Sequence, residues 1–176
     1  IIENHDELRD EAKREGYEFT SETHTEVIAH RIHHHLKVTG DLFKAVRATV
    51  AELEGAYALA VISQDEPDRI VIARQGCPVV IGLGEHENFV ASDVAALLPV
   101  TRNFIFLEEG DVGEIRRNSV RILDREGNTV QRPAKLSELS ADAAEKGEFA
   151  HHMLKEIHEQ PRAVAQPLHE RVAGGK

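Results

Sequence analysis

The hydrophobic pattern of this chain changes period partway along, and that change restricts the fold more than any single motif does. Over the first third, apolar residues recur at helical spacing: Ile28, Ile32 and Leu36, then Leu42, Val46, Val50 and Leu53. That spacing puts them on one face of a helix. From Ala56 onward the pattern becomes short apolar runs separated by turn residues, which reads as strands. Helices first and a strand-rich stretch second indicate an α+β or layered α/β fold.

Boundary signals refine this reading. Asn4 followed by Glu7 has capping-box spacing, with Lys13, Arg14 and Gly16 closing a first helix. Tyr17 to Thr20 reads as a short strand. Thr23 with Glu26 starts a second helix that ends at Gly40, and Asp41 starts a third that runs toward Gly55. Ala56 to Ser63 is a continuous apolar run, as expected of a strand buried on both faces. After a turn at Asp65 to Asp68, Arg69 to Arg74, Val79 to Ile81 and Asn88 to Ala91 are further strands. Ser92 or Asp93 caps a brief helix through Leu98, which Pro99 stops. Phe104 to Leu107, Val112 to Arg116, Val120 to Leu123 and Thr129 to Arg132 look like one antiparallel meander. Beyond Leu136 the strand pattern ends. A polar linker spans about Ser140 to Gly147, and Phe149, Met153 and Ile157 then recur at helical spacing up to Pro161.

Charge and cysteine content bound the function. The net charge of −10 disfavours nucleic-acid and membrane surfaces, both of which are anionic. No apolar run approaches the ~18 residues of a membrane span. The one cysteine, Cys77, excludes an internal disulfide and a multi-cysteine metal site, and it fits a reducing, cytoplasmic compartment. The opening residues Ile1 to Glu7 do not resemble a signal peptide, and a start at Ile1 suggests a fragment or processed product.

Several constellations invite chemistry. His30, His33, His34 and His35 share a predicted helix with Glu26, but consecutive histidines fan around the axis, so a partly exposed polar face is the expectation. His151 and His152 read the same way. Gly82-Leu83-Gly84 is followed by Glu85 and Glu87, which would repel phosphate, so a hairpin turn is expected. Cys77 beside Pro78 reads as a small residue at a turn. Glu108-Glu109-Gly110-Asp111 could pair acids for catalysis or a divalent cation, but solvated turns of this composition are common.

Taken together, several segments resemble the glucosamine-6-phosphate synthase (glutamine–fructose-6-phosphate aminotransferase) family. They are Ile1-Ile2-Glu3-Asn4-His5, and Ser21-Glu22-Thr23 with Thr25-Glu26-Val27-Ile28-Ala29-His30. Further along come Glu54-Gly55-Ala56-Tyr57, Ala91-Ser92-Asp93, Ala96 to Thr101 and Phe104 to Asp111. In the tail, Met153 with Lys155-Glu156-Ile157 and Glu159-Gln160-Pro161 also match, and all the segments run in order. The resemblance implies an α+β fold of the N-terminal-nucleophile hydrolase type, a four-layer αββα sandwich, here incomplete at its N-terminus. Residues 1–139 would be the C-terminal part of the glutaminase domain, and residues 140–176 the linker and first helices leading to an isomerase domain. No cofactor is implied. The implied partners are glutamine and the isomerase domain of the same polypeptide, within a homodimeric parent enzyme.

The family hydrolyses glutamine and passes ammonia to the sugar-isomerising module. Its nucleophile is a first-residue cysteine activated by its own α-amino group. An Asn side chain and a Gly backbone N–H form the oxyanion hole, and an Arg holds the substrate carboxylate. All of these correspond to positions before Ile1, and Cys77 falls where the family has no assigned role, so the chain by itself is expected to be inactive. One substrate residue does fall inside it. The family's S-E-T-D-T-E aspartate, which binds the glutamine α-ammonium, is replaced by His24. A neutral imidazole there could accept one hydrogen bond without full charge compensation. Two other readings stand beside this one: a non-catalytic binding module built on the same fold, and the glutaminase part of another class II amidotransferase. Strand edges left open by the truncation predict self-association or a partner segment.

Overall fold

The computed structural model describes residues 2–137, 149–151 and 153–161. The chain divides into two compact units, Ile1–Glu138 and Leu139–Lys176. The first unit is α+β. Its elements are α1 (His5–Arg14), α2 (His24–Thr39), α3 (Leu42–Val50), β1 (Tyr57–Ser63), β2 (Glu66–Gln75), β3 (Val80–Leu83), β4 (Asn88–Ala91), β5 (Asn103–Phe106), β6 (Val112–Arg116), β7 (Ser119–Leu123), β8 (Thr129–Val130) and β9 (Ala134–Leu136). Two antiparallel sheets result, ordered β1-β2-β6-β7-β8 and β4-β3-β5-β9.

The apolar stripes build the layers. Ile28 and Ile32 of α2, with Leu42, Phe43 and Val46 of α3, pack on Val71, Ala73, Val112 and Leu123 of the first sheet. The other face of that sheet presents Ile72, Ile115 and Ile122 to Val79, Ile81 and Leu107 of the second. The order is therefore helices, sheet, sheet, because adjacent residues of a strand point to opposite faces. Gly113 of β6 makes room for its cross-strand partner Ile72 of β2: a Cβ there would stand 2.9 Å from Ile72 Cγ1. Beyond the second sheet, a 3₁₀ turn at Val94–Ala96, capped by Asp93, brings Leu97 against Gly82.

Several sequence expectations need correction. Tyr17 to Thr20 forms no strand. Asn4 does precede α1, but its side chain makes no cap bond. It instead donates from Nδ2 to Glu52 O at 2.7 Å and accepts from Glu54 N at 3.1 Å, tying the entry of α1 to the loop before β1. The third helix stops at Val50 rather than Gly55, and the turn after β1 comes earlier than expected, with Glu66 and Pro67 already in β2. β1 is not buried on both faces. It is the outer strand of its sheet, with Ala58, Ala60 and Ile62 exposed, Ile62 at 75%. The four-strand meander is split: β5 belongs to the second sheet, and only β6, β7 and β8 form a meander in the first. Strand β9 lies beyond the predicted strands. The second helix follows the prediction: Thr23 Oγ1 accepts from Glu26 N, and Gly40 closes it at φ +62°.

In the second unit, residues 153–161 are helical. The Phe149 ring stacks on His158 at 5.2 Å, and Met153 and Ile157 are exposed. The linker expected at Ser140 to Gly147 lies outside the described residues.

Candidate functional site

The site is built where α2 begins. Thr23 has the extended backbone of an N-cap, and its hydroxyl receives Glu26 N at 3.3 Å. The reciprocal bond of a capping box is absent. Instead the Glu26 carboxylate gathers the preceding loop: it accepts from Thr20 N at 2.8 Å, Thr20 Oγ1 at 3.0 Å, Ser21 N at 2.7 Å and Ser21 Oγ at 2.5 Å. The Ser21 hydroxyl first, then the Thr20 N–H, pull its pKa down to about 2. Arg9 of α1 braces the same loop from outside, donating to Ser21 O and Thr23 O while its guanidinium sits 4.8 Å from the Phe19 ring centre. This charged, fully bonded carboxylate holds rigid the loop that presents His24.

His24 is the first residue of α2 and is half-buried. Its Nδ1 accepts the Ile2 backbone N–H at 3.3 Å. Its ring stacks on that of His5 with centroids 3.9 Å apart and planes at 21°. Burial first, and then the neighbouring His5, lower its pKa below the ordinary value of 6.5, so the ring is neutral. A neutral imidazole whose Nδ1 accepts must carry its proton on Nε2. The remaining ring nitrogen is therefore a donor. The segment carrying Ile2 is itself pinned: Ile2 bridges Gly55, and Glu3 N donates to Glu54 O at 2.9 Å. The site thus joins the starts of α1 and α2 to the loop leading into β1.

The other candidate residues are spent elsewhere. On α2, His33 Nδ1 meets the Tyr17 hydroxyl at 2.9 Å, His34 meets Glu15 at 2.8 Å, and His35 meets Glu52 at 2.8 Å. His30 is wedged between the Tyr17 and Phe19 rings. The four histidines fan out over Tyr17, Phe19, Glu15 and Glu52, and no group of three metal-binding side chains occurs among the described residues. His151 is exposed, and His152 lies outside the described residues. Gly84 N bonds Glu87 O in the tight turn between β3 and β4. Cys77 is half-buried at a bend, and nearby Arg74 turns its guanidinium to Leu107 O and Glu109 instead of the thiol.

The acidic turn is only partly solvated: Glu108 and Glu109 are exposed as its composition suggests, but Asp111 is not. Asp111 is fully buried, with Arg132 clamped on both of its oxygens at 2.9 and 2.8 Å. Glu108 takes a third bond from Arg132 at 2.8 Å, and Glu109 binds Arg74 and Gly76 N. These residues sit where the chain passes between sheets: β2 to β3, β5 to β6 and β8 to β9. The acids therefore clasp three crossings together and are not free to hold a cation. The arginines that do this were not singled out in the sequence, because their partners are distant in the chain.

Comparison with known proteins identifies what the chain as a whole is similar to. A family model described as a glutamine amidotransferase domain matches residues 1–99. Over 168 residues the chain is 58% identical to the isomerizing glutamine–fructose-6-phosphate aminotransferase of Xanthomonas campestris pv. campestris, covering 96% of this chain and 28% of that protein. It is 52% identical over 176 residues to the protein of the same name from Escherichia coli K12, covering 100% of this chain and 29% of the relative. The chain thus spans less than a third of the length of these relatives. Among solved structures, glutamine phosphoribosylpyrophosphate amidotransferase from B. subtilis superposes with a TM-score of 0.60 at 23% identity, covering 73% of this chain and 28% of that one. That likeness shows the fold, of N-terminal-nucleophile hydrolase type.

Proposed function

This chain belongs to the glutamine amidotransferase domain family, and from that membership we propose that its first unit is part of the glutamine-hydrolysing module of a glutamine–fructose-6-phosphate aminotransferase. The observation that carries the reading is identity of 58% and 52% to two such enzymes, running over nearly all of this chain. On this reading the whole enzyme releases ammonia from glutamine and delivers it to an isomerase module of the same polypeptide, which converts fructose 6-phosphate to glucosamine 6-phosphate. The whole enzyme is a homodimer of the cytoplasm. Residues 140–176 lead into its isomerase module.

Within the glutamine-hydrolysing module residues 1–139 act as scaffold and substrate wall. Acyl transfer from glutamine needs a thiol activated by a nearby base and donors aimed at the developing oxyanion. The one cysteine here, Cys77, lies at a bend between sheets, with Arg74 committed to Glu109. The 176-residue polypeptide alone therefore releases no glutamate from glutamine above the uncatalysed blank. A coupled glutamate assay tests this, and release that survives Cys77→Ala overturns it.

His24 stands where the family's ammonium-binding aspartate stands, but its chemistry is reversed. With Nδ1 taken by Ile2 N–H, the ring offers a donor to a substrate group that is itself a donor. Glutamine binding in the whole enzyme therefore rests on groups other than this side chain, and its affinity is lower than an aspartate would allow. The same feature favours the second reading, a binding module on this fold that no longer hydrolyses glutamine. Glutaminase activity in the full-length protein would exclude that second reading.

A further inference from the structure

A second concave site is lined by cations that the fold leaves uncompensated. Of the buried or half-buried arginines other than Arg47 among the described residues, Arg31, Arg69, Arg74 and Arg132 each meet a carboxylate, and Arg9 donates to the Ser21 and Thr23 carbonyls. Arg47, on the last turn of α3, is also half-buried, yet it forms no ion pair and donates no hydrogen bond among the described residues. In a chain of net charge −10 that exception needs a reason. Arg47 lines a cavity of about 480 Å³ together with Val50, Leu53, Tyr57, Val112 and Arg125. Arg125, which is exposed at the cavity mouth, donates to the neutral Gln75 amide at 2.6 Å and meets no carboxylate among the described residues. The Tyr57 hydroxyl has no hydrogen-bond partner among the described residues. Asp124, on the same wall, keeps its negative charge but turns both oxygens to Asn128, at 2.8 and 3.2 Å, so the two arginines still leave the lining cationic.

Two glycines make room for the guanidinium groups. A Cβ at Gly127 would stand 2.5 Å from Arg47 Nη2, and one at Gly110 would stand 2.9 Å from Arg125 Nε. Both glycines hold positive φ, +88° and +81°, where a side chain would be strained in any case. The turns after β5 and β7 thus supply flat surfaces on which the two forks lie.

We propose that this cavity binds a phosphate group, as free phosphate or as a phosphomonoester. Two guanidinium forks and a phenol supply more donors than the two oxygens of a carboxylate can use, and they suit a tetrahedral oxyanion. The apolar wall of Val50, Leu53 and Val112 would meet the organic part of an ester.

The test is calorimetric titration of the full-length protein with inorganic phosphate, glycerol 3-phosphate and succinate at constant ionic strength. Saturable binding of one phosphate group per chain is expected beyond any taken up by the sugar-phosphate site of the isomerase module, and the arginine variants identify it. Arg47→Met and Arg125→Met should each weaken it roughly tenfold, the size of one lost charge-assisted bond. Arg47→Lys, which keeps the charge without the fork, should fall between wild type and Arg47→Met. Tighter binding of glycerol 3-phosphate than of inorganic phosphate identifies a phosphomonoester, and equal binding identifies free phosphate. The proposal is overturned by non-saturable binding, by tighter binding of succinate, or by arginine variants that keep a native circular-dichroism spectrum and bind phosphate as wild type does.

Discussion

At the scale of single residues, the first turn of α2 concentrates what is testable. Glu26 has its pKa lowered from 4.5 to about 2, so the folded state holds its proton more weakly than the unfolded state does. The stability it contributes is complete above pH 4.5 and is lost as pH falls through about 2. Acid unfolding followed by fluorescence or circular dichroism should show that slope, and Glu26→Gln should flatten it. His24 also has a lowered pKa, with the neutral ring favoured by folding. Its contribution is complete above pH 6.5 and fades as pH drops below that value. In the full-length enzyme, His24→Asp should lower the glutamine KM by roughly tenfold with kcat little changed, the pattern of restored uniform binding, because a charge-assisted bond exceeds a neutral one by about 1.4 kcal/mol. An unchanged KM would show that this position does not contact the ammonium.

Among the elements, the crossings between sheets are where stability is most exposed to single changes. Asp111 is fully buried and bound by Arg132, so Asp111→Ala leaves a largely buried guanidinium without its counter-charge. A loss of about 3 kcal/mol is expected, read from the midpoint of urea unfolding. Gly113→Val would force β-branched atoms into the space held by Ile72 and should cost about 1–3 kcal/mol on the same measurement. The capping residues were legible in advance at Thr23, Gly40 and Asp41 because a cap bonds backbone within three or four residues. Asn4 was misread for the opposite reason: its side chain found backbone about fifty positions away, at Glu52 and Glu54, which local spacing does not reveal.

For the whole molecule, the outer position of β1 matters most. Its free edge is seven residues long, carries no charge and no proline, and shows Ala58, Ala60 and Ile62 to solvent. Such an edge templates pairing with another strand. The 176-residue polypeptide should therefore associate with rising concentration in light scattering, and Ile62→Lys should reduce that association without changing the circular-dichroism spectrum. A monomer at all concentrations would contradict it.

Sequence alone determined that three helices precede the strands, the caps at Thr23, Gly40 and Asp41, the family resemblance and the position of His24, because each of these depends on spacing within a few residues or on the residue itself. Tertiary structure decided the rest. Only packing revealed that β1 is an outer strand, because a continuous apolar run looks the same whether one of its faces is covered or both. Only the sheet assignment revealed that Phe104 to Leu107 leaves the meander and that Glu108 to Asp111 is an ion-paired clasp, since the arginines that neutralise those acids lie about 20 to 35 positions away in sequence. Only the contact with Ile2 fixed which nitrogen of His24 carries the proton, and with it the chemistry that the residue offers to glutamine.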